Sequence, residues 1–242
     1  MDFEMADLWD NLYMRDQDEP HHVITFGKSP AQTTEDREKG IARFGGMRAP
    51  SYVNSYWLAA HTLLESAVAS KTLDDLALPI FYLQRHAAEL LIKRLLDWGF
   101  DIADLCEQLQ KPGGTFPTSE HLKRRNNCHD LPQLLADLSD LATNWRCQPL
   151  PSELQRLVKQ IGEFETTDTW ARYARGRKKI PGEKAQIIHH VKNEVAIPMV
   201  ELQAQLGRAV RASIETLPHG QTLEAELYDR WYLLAREAGE AG

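Results

Sequence analysis

The chain has 242 residues, 43% of them hydrophobic, and a formal net charge of -7. This is enough apolar material for one or two domains with buried cores. The acidic balance excludes a protein that coats nucleic acid with its whole surface, because such binding needs a broadly basic exterior.

Residues 1–50 read as a partly ordered arm. Apolar residues are sparse there, and Gly, Pro and charges interrupt every periodic pattern. Trp9, Leu12 and Tyr13 suit a short helix that packs on the body or on another subunit, and Val23-Ile24-Thr25-Phe26 suits a short strand. From Ser51 helical spacing sets in, with Val53, Tyr56, Ala60, Leu63, Leu64 and Ala67 at steps of three and four. After Asp74-Asp75 comes the most apolar stretch, ALPIFYLQRHAAELLIKRLLDWGF. It is expected to form a central helix with Gly99 at its C-cap.

Shorter helices are expected at Ile102–Leu109 and about Pro117–Arg125, separated by the breaker Lys111-Pro112-Gly113-Gly114. Asp130-Leu131-Pro132 opens a helix carrying Leu131, Leu134, Leu135 and Leu138. Pro151-Ser152-Glu153 opens another carrying Leu154, Leu157, Val158 and Ile161. The segment 168–184 loses periodicity and reads as a loop or broken helix. A long helix is expected from Ala185 with Ile188, Val191, Val195, Leu202, Leu206 and Val210 in one stripe, kinked at Pro198. A last helix covers roughly Leu223–Arg236. The expected fold is all-α: a helical bundle over 51–237 with a long kinked C-terminal helix, an irregular N-terminal arm at 1–50 and a tail at 238–242.

Three cysteines, Cys106, Cys128 and Cys147, are an odd number in a chain with no apparent signal peptide. That argues against a disulfide framework and for a reducing cytoplasm. No window approaches the roughly 20 apolar residues that cross a bilayer, so no membrane segment is expected.

On the central helix Tyr82, Arg85, His86, Glu89, Lys93 and Asp97 share one polar sector. Two readings stay open: a solvated face laced by i,i+4 pairs, or the lining of a cleft or a subunit interface in which Arg85 binds phosphate and His86 moves protons. His86 with Glu89, and His61 with Glu65, have spacings that a helical metal site uses, but too few carboxylates converge and no metal or cofactor is expected. His189-His190 point to different faces, and Cys128-His129 lacks the base and oxyanion donors of a thiol enzyme. The basic run holds Arg172, Arg175, Arg177, Lys178 and Lys179 with Trp170 and Tyr173 among them. That is either a solvated loop or a phosphate- and base-binding loop for RNA or another single strand.

FYLQRHAAELLIKRLL (81–96), HDLPQLLADL (129–138) and DTWARYARGRKK (168–179) together resemble HEPN-like proteins, over about residues 51–215. The resemblance implies a bundle of four to five helices, frequent homodimers, and a setting in toxin–antitoxin or antiviral systems, with some members nucleases and others inactive binding modules. Its nuclease members carry an Arg, a nearby polar residue and a His separated from the Arg by four to six residues, and Arg124 and His129, with four residues between them, match that spacing. Here, however, His129 opens the HDLPQLL helix. By this resemblance the pair would be a metal-independent ribonuclease site, with His129 as base and Arg124 stabilising the phosphorane.

Three functions follow: a non-catalytic module that binds a protein or nucleic acid, a HEPN-type ribonuclease, and a metal-dependent bundle enzyme. The first is favoured. Homodimerisation is expected from the apolar central helix and from Trp9, Tyr13, Trp231 and Tyr232.

Overall fold

A 36-residue helix, Leu73–Gln108, organises the molecule. The computed structural model describes residues 30–42, 52–165, 175–178, 186–189, 194–214 and 222–240. In chain order the elements are α1 (Pro30–Glu38), α2 (Tyr52–Ser70), α3 (Leu73–Gln108), α4 (Ser119–Arg124), α5 (Leu131–Asn144), α6 (Ser152–Phe164), β1 (Arg175–Lys178), β2 (Gln186–His189), α7 (Met199–Ile214) and α8 (Leu223–Glu240). The fold is an all-α bundle with one short ribbon, in which β1 pairs antiparallel with β2 and Arg175 faces His189. The chain divides into two compact units, Met1–Ser55 and Tyr56–Gly242.

In the first unit α1 is a polar helix, PAQTTEDRE, within what the sequence presents as an arm. It lacks an apolar stripe, the signal that reveals amphipathic helices. The expectations at Trp9, Leu12, Tyr13 and Val23–Phe26 lie outside the described residues.

In the second unit α3 packs against α5, α6, α7 and α8. Its Ile80, Phe81, Leu91, Ile92 and Leu95 are fully buried. The amphipathic partners follow their spacing: Leu131, Leu134 and Leu138 on α5, and Leu154, Leu157, Val158 and Ile161 on α6, all turn inward. Asp130 caps α5 by accepting the Gln133 N–H at 3.1 Å, the role that Asp before Leu-Pro suggests. On α2, Trp57 packs against Gly207 of α7, where a Cβ would lie 3.3 Å from the indole.

Gly99 does not end the central helix. The expected helix at Ile102–Leu109 is the continuation of α3, which runs through to Gln108. The glycine serves packing instead: a Cβ there would stand 2.0 Å from Leu141 Cδ1 and 3.1 Å from Phe116 Cε1. Near the other end Pro79 lies inside α3. Lacking an N–H, it leaves the Asp75 carbonyl without its helical donor, in a stretch where Asp74, Asp75 and Leu78 are exposed.

The long kinked helix expected from Ala185 is also corrected. Residues 186–189 are strand, 194–198 are irregular, and helix begins only at Met199. Pro198 stands just ahead of α7, its carbonyl accepting the Leu202 N–H at 2.9 Å, a place where proline costs nothing. The expected stripe splits accordingly. Leu202, Leu206 and Val210 are buried on α7, Val195 is exposed, Ile188 belongs to β2, and Val191 lies outside the described residues. The paired β-branched Ile187 and Ile188 favour extended backbone, and the sequence between the strands contains Pro181-Gly182, a turn pair.

Four of the described helices close in one way, with a left-handed residue followed by an N–H that reaches back five residues. Gly40, Lys71, Gln110 and Arg146 have φ of 67°, 59°, 53° and 53°. Ile41 bonds to Asp36, Thr72 to Ala67, Lys111 to Cys106 and Cys147 to Ala142. This satisfies terminal carbonyls that would otherwise lack donors.

The close approach at Gly99 gives a direct test. Gly99→Ala should destabilise the protein by about 1–3 kcal/mol through overpacking, and by clearly less in a Leu141→Ala background, where the methyl has room. Urea unfolding of the four proteins of that cycle measures the coupling. Additive losses would mean that Gly99 is not held by its fit against Leu141.

Candidate functional site

Arg85, Glu89 and Lys93 follow one another at i,i+4 steps, so they form one row along α3. Arg85 and Glu89 are only 4% and 3% exposed, which replaces the solvated-face reading with a buried ionic row. Burial of charge requires partners, and the row has them. Arg85 Nη1 donates to Glu89 Oε2 at 2.8 Å, and Lys93 Nζ donates to Glu89 Oε1 at 2.9 Å. Arg85 Nε donates to Glu165, the residue after α6, and Arg85 Nη2 donates to the backbone carbonyl of His129. The His129 ring completes the cluster, with Nδ1 2.8 Å from Glu89 Oε1.

Every nitrogen of the Arg85 fork therefore has a protein acceptor, and the group ties α3 to Glu165 and to the His129 carbonyl. The guanidinium stays charged: burial opposes the charge, but Glu165 and Glu89 outweigh it and push the group above its ordinary value. Glu89 moves the other way. Burial raises its carboxyl, yet hydrogen bonds from Lys93 and His129, with the charges of both, leave it below the usual carboxylate range. The accessible member is His129, whose side chain is 40% exposed while Glu89 beneath it is 4% exposed. A buried carboxylate on Nδ1 orients an imidazole so that its other nitrogen faces outward.

His86 lies beside this row in an aromatic setting, stacked on Tyr82 at 5.6 Å and edge-on to Tyr56 at 4.5 Å. Asp97, at the far end of the polar sector, is exposed and pairs with Arg125 at 3.3 Å. Arg125 also lies over the Phe100 ring, 4.5 Å from its centroid.

Arg124 and His129 turn to different carboxylates. Arg124 grips Asp137 with two bonds, Nε to Oδ2 at 2.9 Å and Nη2 to Oδ1 at 2.7 Å. Asp137 is itself buried and also accepts from Gln133 at 3.0 Å. The bidentate pair ties α4 to α5. His121 completes this corner: its Nδ1 accepts the Thr118 N–H at 3.1 Å while the Thr118 hydroxyl accepts the His121 N–H at 3.3 Å, a reciprocal cap on α4.

Arg175 and Arg177 stand at alternate positions of β1, whereas Arg172 and Tyr173, with Trp170, Lys179 and His190, lie outside the described residues. His61 pairs with its own neighbour Glu65 at 3.3 Å. Among the described residues no group of three or more His, Cys, Asp or Glu side chains is disposed to hold a metal ion, and no helix is long and apolar enough to cross a membrane.

Sequence reasoning did not link Glu165 to Arg85 or Asp137 to Arg124. Their partners lie 80 and 13 residues away, and no local period links them. A second clamp was likewise invisible: Glu224 in the first turn of α8 accepts from Arg94 at 2.6 Å and from Trp98 at 2.9 Å.

Comparison of the chain with protein-family models, with curated proteins and with solved structures finds no match.

Because folding lowers the Glu89 pKa, the stability gained from this carboxylate is fully present above its unfolded-chain value, about 4.3. It is lost as pH falls through the folded value. Wild-type stability should therefore decline below about pH 4.3. Glu89→Gln should cost roughly 3–5 kcal/mol near neutrality, the range for breaking a buried pair, and should flatten that acid limb. Urea midpoints across the acid range test both, and parallel curves would remove Glu89 as the source.

Proposed function

We propose that the protein is a non-catalytic helical module that binds single-stranded nucleic acid, RNA in the first instance, through the segment Arg172–Lys178. The observation that carries this reading is the anchoring of Glu165 on Arg85. The chain leaves α6 pinned to the central helix beside exposed His129, and seven residues later enters a run that holds Arg172, Tyr173, Arg175, Arg177 and Lys178 in an otherwise acidic protein. Guanidinium groups pair with phosphate and an aromatic ring stacks on bases. Arg85 and Glu89 act here as anchors, while Lys93 and His129 are the members of the central row nearest to solvent.

A second reading is favoured by one interaction. His129 on Glu89 has the geometry of an oriented base, as a metal-independent ribonuclease of the HEPN type would need. Arg124 gives that reading less, since Asp137 already engages its fork. In either case the resemblance to HEPN-like proteins makes toxin–antitoxin or antiviral defence the setting. Pairing of two copies belongs to the same reading, and the half-exposed Tyr228, beside Trp98 and Trp231, with Tyr232 stacked on it, supports it.

In gel-shift titrations with a single-stranded RNA at several salt concentrations, Arg172→Ala/Arg175→Ala should weaken binding. It should also reduce the slope of log affinity against log salt by about 1.4, at roughly 0.7 for each phosphate that is no longer neutralised. Identical curves, or no binding by wild type at low salt, would overturn the assignment. RNA cleavage that disappears in His129→Ala would replace the binding reading by the nuclease one. Sedimentation should show a dimer that Tyr232→Glu converts to monomer, and a wild-type monomer at tens of micromolar, an ordinary range for a non-obligate pair, would overturn the dimer.

A further inference from the structure

Away from the ionic row, the ends of α3 and α5 meet one side of α8 around a cavity of about 590 Å³. That size lies within the roughly 300–1,000 Å³ of small-molecule sites. One wall is apolar, built by Pro112, Trp145, Leu233 and Leu234. Leu233 is 57% exposed, a large apolar side chain at this wall that none of the described residues covers.

The remaining lining carries both signs of charge. Lys111 is already paired with Glu237, and beside it Arg146 and Arg230 stand among Glu226 and Asp229. Opposite charges around a small space ordinarily pair with each other, yet none of the last four does so. Arg230 Nη2 donates to the Trp145 carbonyl at 2.8 Å, and Glu226 accepts the Gln148 N–H at 2.9 Å. The side chains of Arg146 and Asp229 make no hydrogen bond or ion pair to any described residue. Arg146 is fixed by its backbone, since it is the left-handed residue that closes α5. Cys147, also in the lining, registers both signs. Burial raises its thiol, Glu226 raises it further, and Arg230 lowers it. A raised thiol is a weaker nucleophile at neutral pH, which suits a lining that recognises its ligand reversibly.

We propose that this cavity binds a free α-amino acid with an apolar side chain. Its carboxylate would be taken by Arg146 and the remaining N–H groups of Arg230, its ammonium by Asp229 and Glu226, and its side chain by Trp145, Leu233 and Leu234. A zwitterion meets both unpartnered charges at once, which neither a simple anion nor a simple amine does. The site is independent of the nucleic-acid reading and shares no residue with it.

Isothermal titration with L-phenylalanine, 3-phenylpropanoate and 2-phenylethylamine on the full chain tests the assignment. L-Phenylalanine should bind, and loss of either ionic group from the ligand should weaken binding by about tenfold or more, the worth of one charge-assisted hydrogen bond. Arg146→Ala and Asp229→Asn should each do the same. Both side chains are exposed, so unchanged circular dichroism and melting should accompany the loss. No heat from L-phenylalanine at millimolar concentration, equal binding of phenylpropanoate, or binding indifferent to both variants would overturn the proposal.

Discussion

A guanidinium and a carboxylate one turn apart on α3, both almost wholly out of water, set the terms for the rest of the second unit. Neither Arg85 nor Glu89 is tolerable there alone, because burying an unpaired charge costs far more than a folded domain has to spare. Together they still leave a fork and a carboxylate oxygen to satisfy. Those needs are met by Glu165 after α6 and by the ring and carbonyl of His129 before α5. The row thus does what apolar packing cannot. Leucines on α5 and α6 make those helices adhere to α3, but a directional fork fixes where along α3 the two chain ends must lie.

The same division of labour recurs elsewhere. Glu224 is gripped by Arg94 and Trp98 where α8 begins, and Asp137 by Arg124 where α4 meets α5. Gln84, wholly buried, donates to the Met199 carbonyl and to Gln203, which in turn donates to the Trp57 carbonyl, so that α2, α3 and α7 share one chain of hydrogen bonds. Small residues complete the fit. Gly99 lets Leu141 and Phe116 close on α3, and Gly207 admits Trp57.

How much of this was legible depended on the range of the cause. α5 and α6 could be read because their leucines repeat within a few residues and their first turns carry Asp-Leu-Pro and Pro-Ser-Glu. The path of α3 past Gly99 could not, since a C-cap glycine and a packing glycine look alike until Leu141 is known to lie against one of them. The ribbon at Arg175–Lys178 and Gln186–His189 escaped because each strand has only four residues, too short for alternation to stand out. At the site, Arg85, Glu89 and Lys93 were visible as a row from their spacing alone. That the row is inside rather than outside rests on His129 and Glu165, which nothing local connects to it. Arg124 and His129 matched a motif in spacing, yet each is held by a carboxylate that the motif does not contain.

Pro79 divides α3 into two parts of different permanence. Before it, the helix has a carbonyl without a donor and exposed side chains; after it, Ile80 and Phe81 begin the buried run. Opening the first six residues breaks few bonds and exposes little apolar surface, whereas opening the remainder breaks up the packing against α5, α7 and α8. In hydrogen–deuterium exchange the two parts are therefore expected to behave as separate cooperative units: amides ahead of Pro79 should exchange through local fraying, and those from Leu91 to Leu96 only when the whole second unit unfolds. The longest of the described helices would then be, in time, a short labile cap joined to a persistent core element.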